Sequence, residues 1–404
     1  MRVLFINQVF YPDVAATAQH GHDLGKYLVS HGHEVTAIAS RSIYGEKGVG
    51  LPKHETVDGI KIYRVARSLF GKSTIIGRIF DFLFFYVAAT WRAVTLPRHD
   101  VVICFTTPPF IAWCGRILRL FKRTKVVYWV MDLYPDLPIA CGVMREGSLA
   151  SRFFERVNRS CLRKADVDVV LGRCMADRVR AKGIEEAKIR LIGVWSDQEE
   201  VHPIPREENA YRREWDVGDR TLVMYSGNFG LGHDMTTFLA AAEAMRDDDR
   251  IRFAFVGGGK KKAQVEAFVA DNELESTCIL APYQPREQLD ELLSAADVHL
   301  VSLLEGIEGI MVPSKLFGIL AAGRPALFIG SPKSEISQVI MESRCGVSVR
   351  QGDSDALIAA IHRYVENPSE REAAGKRARG ALIEHHSMER RCKAWLELLE
   401  EVTA

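Results

Sequence analysis

The 404-residue chain has no Cys-x-x-Cys pair; its eight cysteines, at 104, 114, 141, 161, 174, 278, 345 and 392, are scattered. That scatter argues against a structural zinc site or a disulfide framework and fits a reducing cytoplasm. No low-complexity tract is present, so nothing reads as disordered. The apolar stretch 75–91 has seventeen residues and is interrupted by Arg78 and Asp81, too short and too charged for a membrane span of about 20 residues. No Gly-x-Gly-x-x-Gly follows the first strand-like run, which excludes the usual nicotinamide-binding loop. There is also no Walker A loop and no Gly-x-Ser-x-Gly elbow. The chain runs directly into Val3-Leu4-Phe5-Ile6 with no small-residue cleavage site, so its start reads as a strand rather than a signal peptide.

What is present is an ordinary globular composition, 47% hydrophobic and 26% charged, in a chain long enough for two or three domains. Strand-like and helix-like segments alternate. A run at 3–6, a polar loop at 7–17, a helical pattern at 19–30 closed by Gly32, and a strand at 35–39 form a β-α-β unit. Buried strands are expected at 101–105, 126–130 and 167–171. A Pro-containing acidic stretch at 192–205 reads as an interdomain linker, after which the alternation restarts. Strands are expected at 221–225, 251–256, 277–280, 298–303 and 325–329, and helices at 235–245, 260–272, 286–295 and 315–322. The expectation is an α/β protein of two Rossmann-like, doubly wound domains facing a central cleft. Residues 1–194 form the first, 195–383 the second, and 384–404 a C-terminal helix packing back on the first.

The net charge of +1 conceals an asymmetry. Residues 1–194 hold 29 Lys and Arg against 17 Asp and Glu, a net +12; residues 195–404 hold 24 against 35, a net −11. A basic half favours anionic partners. Because 75–91 lies in that half, the partner expected is an anionic membrane surface rather than nucleic acid. Arg78, Asp81 and Arg92 fall on one helical face with Phe82, Phe84, Phe85 and Tyr86 elsewhere, flanked by Lys72 and Arg98. That pattern suits a helix lying in a membrane interface.

The strongest motif runs from Gly309 through Pro313-Ser314-Lys315 to Ala321-Ala322-Gly323-Arg324-Pro325. Pro313 can open a helix, placing the amides near Ser314 and the Lys315 ammonium beside an anion such as a diphosphate. In Tyr225-Ser226-Gly227-Asn228-Phe229-Gly230-Leu231-Gly232-His233-Asp234 a strand feeds a glycine-containing turn, letting backbone amides approach phosphate. With Gln8-Val9-Phe10-Tyr11-Pro12-Asp13, Gly32-His33-Glu34-Val35 and Asp132-Leu133-Tyr134-Pro135-Asp136, these segments resemble the retaining family 4 glycosyltransferases of the GT-B fold, within them the bacterial O-antigen, capsule and exopolysaccharide enzymes. The resemblance covers nearly the whole chain.

The resemblance implies a transferase moving a sugar from a nucleotide-sugar donor to a lipid-linked or glycan acceptor in cell-surface polysaccharide synthesis, peripheral on the inner face of the plasma membrane. Donor contacts would come from Gly227, Asn228, Gly230, His233, Ser314 and Lys315, with Gly257 and Tyr283 near the base. Relatives bind the donor ribose through the second Glu of a Glu-x7-Glu pair. Here Ile310 and Gly318 occupy those positions, leaving Glu308 and Glu335 as candidates. Ala15, Ala16 and Thr17 replace a Gly-Gly pair on the acceptor side, and Asp132 is the candidate for orienting the acceptor hydroxyl or acting as a weak base. Retention needs no enzyme nucleophile if the leaving diphosphate assists the incoming hydroxyl. No metal or other cofactor is expected, since the Asp-x-Asp strings at 166–168, 247–249 and 353–355 do not sit at strand ends facing the cleft. Two alternatives stay open: a nucleotide-sugar epimerase of the same fold, and a non-catalytic partner binding nucleotide sugar or lipid.

Overall fold

The computed structural model describes residues 1–43, 50–67 and 75–404, with the backbone alone for Ile75, Ile76 and Arg78. The chain divides into two compact units, Met1–Gly193 with Glu389–Ala404, and Val194–Met388. The division falls one residue earlier than the sequence pattern suggests, and the chain rejoins the first unit at Glu389 rather than 384.

The first unit is built on β1 (Arg2–Ile6), β2 (Glu34–Ser40), β3 (His54–Val57), β4 (Ile60–Val65), β5 (Val101–Cys104), β6 (Lys125–Val130), β7 (Val167–Val170) and β8 (Ile189–Leu191). Their order is β3-β4-β2-β1-β5-β6-β7-β8, parallel throughout except for β3 against β4. The central strands are buried almost end to end, which is why they read as unbroken apolar runs and not as alternation. Helix α1 (Ala16–Ser30) leaves the β1 loop and ends at His31, with Gly32 at φ +81°. Helices α2 (Ile75–Thr95), α3 (Ala112–Lys122) and α4 (Leu149–Lys164) follow; α2 packs on α3, and α3 on α4.

The second unit carries β9 (Thr221–Asn228), β10 (Ile251–Gly258), β11 (Cys278–Ala281), β12 (Val298–Ser302), β13 (Ala326–Ile329) and β14 (Gly346–Val349). Their order is β11-β10-β9-β12-β13-β14, all parallel. Helix α5 (Lys315–Ala321) is two turns long, and α6 (Pro368–Ala381) packs against it. A buried carboxylate holds one end of this sheet: Asp297 accepts from Arg212 at 2.9 Å and from the Leu222 amide at 2.8 Å, with Arg371 at 3.9 Å. Pairing and hydrogen bonding of this kind are what make a buried charge tolerable.

Two expectations need correction. The boundary between the units falls inside 192–205, where a linker is expected, but most of that stretch is packed rather than free. From Val194 it belongs to the second unit, where Arg324 donates to the Ile204 carbonyl (3.0 Å) and Arg379 to the carbonyls of Val201 (2.8 Å) and Gln198 (3.0 Å). The motif end Gly323-Arg324-Pro325 is therefore a structural corner. Gly323 has φ +63°, and a Cβ on Gly375 of α6 would lie 2.2 Å from the Gly323 carbonyl oxygen. The second correction concerns strands β3, β4, β8 and β14, which the apolar pattern does not announce. The last helix, α7 (Met388–Thr403), packs on the first sheet through buried Trp395, whose ring centroid is 4.5 Å from that of Trp129 in β6.

Candidate donor and acceptor sites

The donor-side residues gather at the carboxyl edge of the second sheet. Strands β9 and β10 stay in register to their tips, Gly227 opposite Gly257 and Asn228 opposite Gly258. Both Gly227 (φ +125°) and Gly257 (φ +133°) take left-handed backbone, and a Cβ on Gly257 would lie 2.1 Å from the Gly227 carbonyl oxygen. Beyond them the Phe229 amide donates to the Gly258 carbonyl at 2.7 Å. Two glycine turns are thus locked together where side chains would have kept them apart. Gly257→Ala is expected to cost about 2–4 kcal/mol through strain and contact with main chain. Gly218→Ala, also left-handed but facing open space, should cost about 1–2 kcal/mol. Comparable urea midpoints for the two variants would show that the close approach is not there.

Lys315, the first residue of α5, reaches into this edge. Its Nζ lies 3.7 Å from the Tyr225 ring centroid, and a Cβ on Gly227 would stand 3.5 Å from it. Among the described residues the ammonium has no hydrogen-bond partner, and it has almost no accessible surface. Burial pushes it down to about 7, while the aromatic face supplies a cation–π contact. A buried cation without a hydrogen-bond partner beside glycine amides can receive a desolvated anion.

The other donor-side candidates divide. Asn228 is exposed at the tip of β9, and Gly230 opens the turn that returns to His233. His233 adds no charge. It is buried, donates from Nδ1 to the Ser302 carbonyl at 2.7 Å, and is held down to about 3 by burial first and by the Lys315 charge second. Tyr283 presents a 60% exposed ring beside Gly258 and donates its hydroxyl to the Gly258 carbonyl at 3.1 Å. Ser314 is the N-cap residue of α5 with no side-chain cap bond. Glu308 is half-buried on the segment leading from β12 to α5. Glu335 opens a helix whose Ser334 cap accepts from the Ser337 amide, where an acid also complements the helix dipole. At Gly318 a Cβ would stand 3.1 Å from Leu293 Cδ1, so an acid there would press on an apolar side chain. Lys261 was missed in the sequence: its amide donates to the Phe229 carbonyl (2.9 Å) and its Nζ to the His233 carbonyl, on the same loop. The run Gly257-Gly258-Gly259-Lys260-Lys261 after a strand was the available signal.

In the first unit, Asp132 follows β6 at the carboxyl edge, its amide donating to Thr106 Oγ1 at 3.3 Å. Desolvation pushes its carboxyl up to about 6. Ala15, Ala16 and Thr17 form the start of α1 at the same edge. The N-cap residue Ala15 makes no side-chain cap bond, and Asp13 accepts from the Ala15 amide at 2.9 Å. The loop before them is held by Arg64, which donates to the Tyr11 carbonyl, and by Tyr11 stacked on His22 at 4.6 Å. The Asp-x-Asp strings have structural duties. Asp166 accepts from the Val126 amide, Asp248 pairs with Arg250, and Asp353 caps the helix Ser354–Glu366. Among the described residues no group of three or more His, Cys, Asp or Glu could hold a metal ion.

Helix α2 is oriented differently from the expectation. Asp81 is buried (7% exposed) and Phe85 is core (0%), whereas Ile79, Phe80, Leu83, Phe84, Val87 and Trp91 are exposed. Positions 80, 83, 84, 87 and 91 form one stripe at helical spacing. Arg92 lies over the Tyr63 ring, 4.0 Å from its centroid. The Lys72 flank and the Arg78 side chain lie outside the described residues. Leu120 and Phe121, at the end of α3, are exposed beside Arg119, Lys122 and Arg123. Among the described residues no helix is long and apolar enough to cross a membrane.

Comparison with known proteins gives this geometry a context. Residues 16–195 match the glycosyl transferase 4-like domain family, and residues 207–381 match the glycosyl transferases group 1 family. The chain is 31% identical to the probable glycosyltransferase WbjE of Pseudomonas aeruginosa over 72% of both chains. It is 25% identical to a glycosyl transferase named for colanic acid biosynthesis, WcaI of Escherichia coli K12, over 95% of this chain and 96% of that one. The solved structure of Anabaena HepE in complex with UDP-glucose superposes with a TM-score of 0.75 at 12% identity, covering 99% of this chain and 100% of that one.

Proposed function

The chain belongs to the group 1 glycosyl transferases with a 4-like first domain, and on that premise we propose that its second unit binds a nucleotide sugar whose diphosphate sits against Lys315. The protein is a glycosyltransferase of cell-surface polysaccharide synthesis with the two Rossmann-like units of the GT-B architecture. The epimerase and non-catalytic readings lose their ground to relatives named as transferases. One observation carries the donor assignment: among the described residues the buried Lys315 ammonium has no hydrogen-bond partner, and it is walled by Tyr225 and Gly227. Gly227, Asn228, Gly230 and Gly257 line the diphosphate path, Tyr283 offers its ring to the base, and Glu308 or Glu335 takes the ribose. His233 shapes the loop without contributing charge.

In the first unit, Asp132 orients the acceptor hydroxyl and receives its proton, with the Ala15–Thr17 turn alongside. Lys315 and the glycine-turn amides stabilise the leaving diphosphate, which guides the incoming hydroxyl to the face it departs from while Asp132 takes the proton, so retention proceeds without an enzyme nucleophile, and no metal takes part. The test is a nucleotide-sugar screen by thermal stabilisation in excess EDTA, followed by transfer assays with the best donor. A donor at 100 times its Kd stabilises the fold by about 2.7 kcal/mol. Absence of any stabilising donor, or turnover that requires added magnesium or manganese, would overturn this reading.

A specific feature favours membrane docking as well. The α2 stripe is apolar and solvent-facing while its acid, Asp81, points inward, and the neighbouring end of α3 is basic. Such a face suits the anionic leaflet of the cytoplasmic side, as do eight free cysteines. Each basic residue near the surface contributes about 1 kcal/mol, screened over about 10 Å at 0.1 M salt. The protein is expected to sediment with phosphatidylglycerol vesicles at low salt and to be released at high salt. Leu83→Ser with Phe84→Ser should weaken binding at least about tenfold with an unchanged melting temperature, since both side chains are exposed. Undiminished binding would remove α2 from the membrane face.

A further inference from the structure

We infer that Nε2 of His233 accepts a hydrogen bond from a hydroxyl of the sugar being transferred, which makes His233 a specificity-determining residue; the inference deepens the donor reading and rests on it. Every other polar group of His233 is already engaged. Its amide donates to the Gly230 carbonyl at 3.2 Å, its carbonyl accepts from Lys261 Nζ, and its Nδ1 lies 2.7 Å from the Ser302 carbonyl oxygen. A carbonyl only accepts, so Nδ1 carries a hydrogen. Burial first and the Lys315 charge second hold the imidazole down to about 3, so near pH 7 the ring has no second hydrogen and Nε2 keeps its lone pair. Among the described residues Nε2 has no hydrogen-bond partner.

The Nε2 edge of the ring faces the glycine turn of the donor side. A Cβ on Gly230 would lie 3.6 Å from His233 Cδ2, the carbon bonded to Nε2, and 3.1 Å from Asn228 Nδ2. Strand order sets three features in a row: Tyr283 on Gly258 at the tip of β10, Lys315 against Gly227 at the tip of β9, and His233 on Ser302 at the tip of β12. Neighbouring strands stand about 4.8 Å apart. A donor with its base on Tyr283 and its diphosphate at Lys315 therefore carries its sugar to the His233 end. The Gly232 carbonyl accepts from the Leu304 amide at 2.9 Å, so the loop is fixed on that side before a donor arrives. An uncharged lone pair repels a phosphate oxygen, whereas a hydroxyl brings its own hydrogen. The chemistry selects a sugar hydroxyl.

The probes are UDP, GDP, UDP-glucose, UDP-N-acetylglucosamine and GDP-mannose, titrated calorimetrically into the full chain and into two variants. His233→Asn keeps an amide N–H where Nδ1 donates to Ser302 and removes the acceptor at Nε2. His233→Gln extends an amide oxygen to the Nε2 position. For the nucleotide sugar that binds best, its affinity relative to its own bare diphosphate should fall about fivefold in His233→Asn, the worth of one neutral hydrogen bond. In His233→Gln that ratio should stay within about twofold of wild type. Affinity for the bare diphosphate should be unchanged in both variants, since Lys315 is intact. An unchanged ratio in His233→Asn, an equal loss with the bare diphosphate, or an equal fall in His233→Gln would overturn the proposal. So would a wild-type chain that binds a bare diphosphate and none of the three nucleotide sugars. Binding of neither UDP nor GDP to the wild-type chain would instead remove the donor assignment, and the proposal with it.

Discussion

Lys315→Ala is expected to lower kcat/KM for the donor by about 10²–10³-fold, equivalent to about 2.7–4 kcal/mol, the range for removing one preorganised donor to a developing anion. The ammonium is desolvated and already placed before any donor arrives, so its reorganisation cost on binding is small. Both KM and kcat should suffer, since the charge on the diphosphate grows as the sugar departs. Lys261, tied to the His233 carbonyl on the same loop, gives a residual activity. Steady-state kinetics with the donor found by screening measure this. Wild-type kinetics in Lys315→Ala would take α5 out of the donor site.

Asp132→Asn is expected to lower kcat by about 10²-fold or more, the usual worth of a positioned proton acceptor, with donor affinity unchanged. It should also change the pH profile. Asp132 must be ionised to accept a proton, and its carboxyl is pushed up to about 6, so kcat/KM should fall as pH drops below 6. Lys315 must be charged to attract the diphosphate, and burial holds it down to about 7, so kcat/KM should fall as pH rises above 7. The product is a narrow bell between 6 and 7 for the free enzyme. Asp132→Asn should erase its acid limb, and Lys315→Arg its alkaline limb. A bound donor stabilises the ammonium, so the alkaline limb of kcat should lie higher than that of kcat/KM. An acid limb that persists in Asp132→Asn would assign it to another group.

Legibility varied with how local each feature is. Strands such as β1, β5, β6 and β12 are apolar because both faces of a parallel sheet are covered, and they can be read from residue type alone. The β3–β4 hairpin carried a signal that hydrophobic runs obscure: Asp58-Gly59 turns with φ +47° and +79°, the type I′ geometry that Asp-Gly favours. Strand β14, Gly346–Val349, is only partly buried and short, so no pattern distinguishes it from a loop. Gly227, Gly257 and Lys315 were legible as a set because their chemistry is backbone approach and charge. The orientation of His233 was not, since it is fixed by a carbonyl 69 residues away in sequence.

The sequence by itself determined two doubly wound units and the glycine turns at the tips of β9 and β10, because each follows from local periodicity or turn chemistry. Tertiary packing decided the rest. It put Asp81 and Phe85 inside and Phe84 outside on α2, since which helical face is core depends on the neighbour it meets. It anchored the Gly323-Arg324-Pro325 corner, because the carbonyls that Arg324 satisfies come from Ile204 and Ser294. It also set the two protonation equilibria at the proposed sites. Desolvation shifts Asp132 upward and Lys315 downward toward neutrality, and burial is a property of the folded surroundings that residue order alone does not contain.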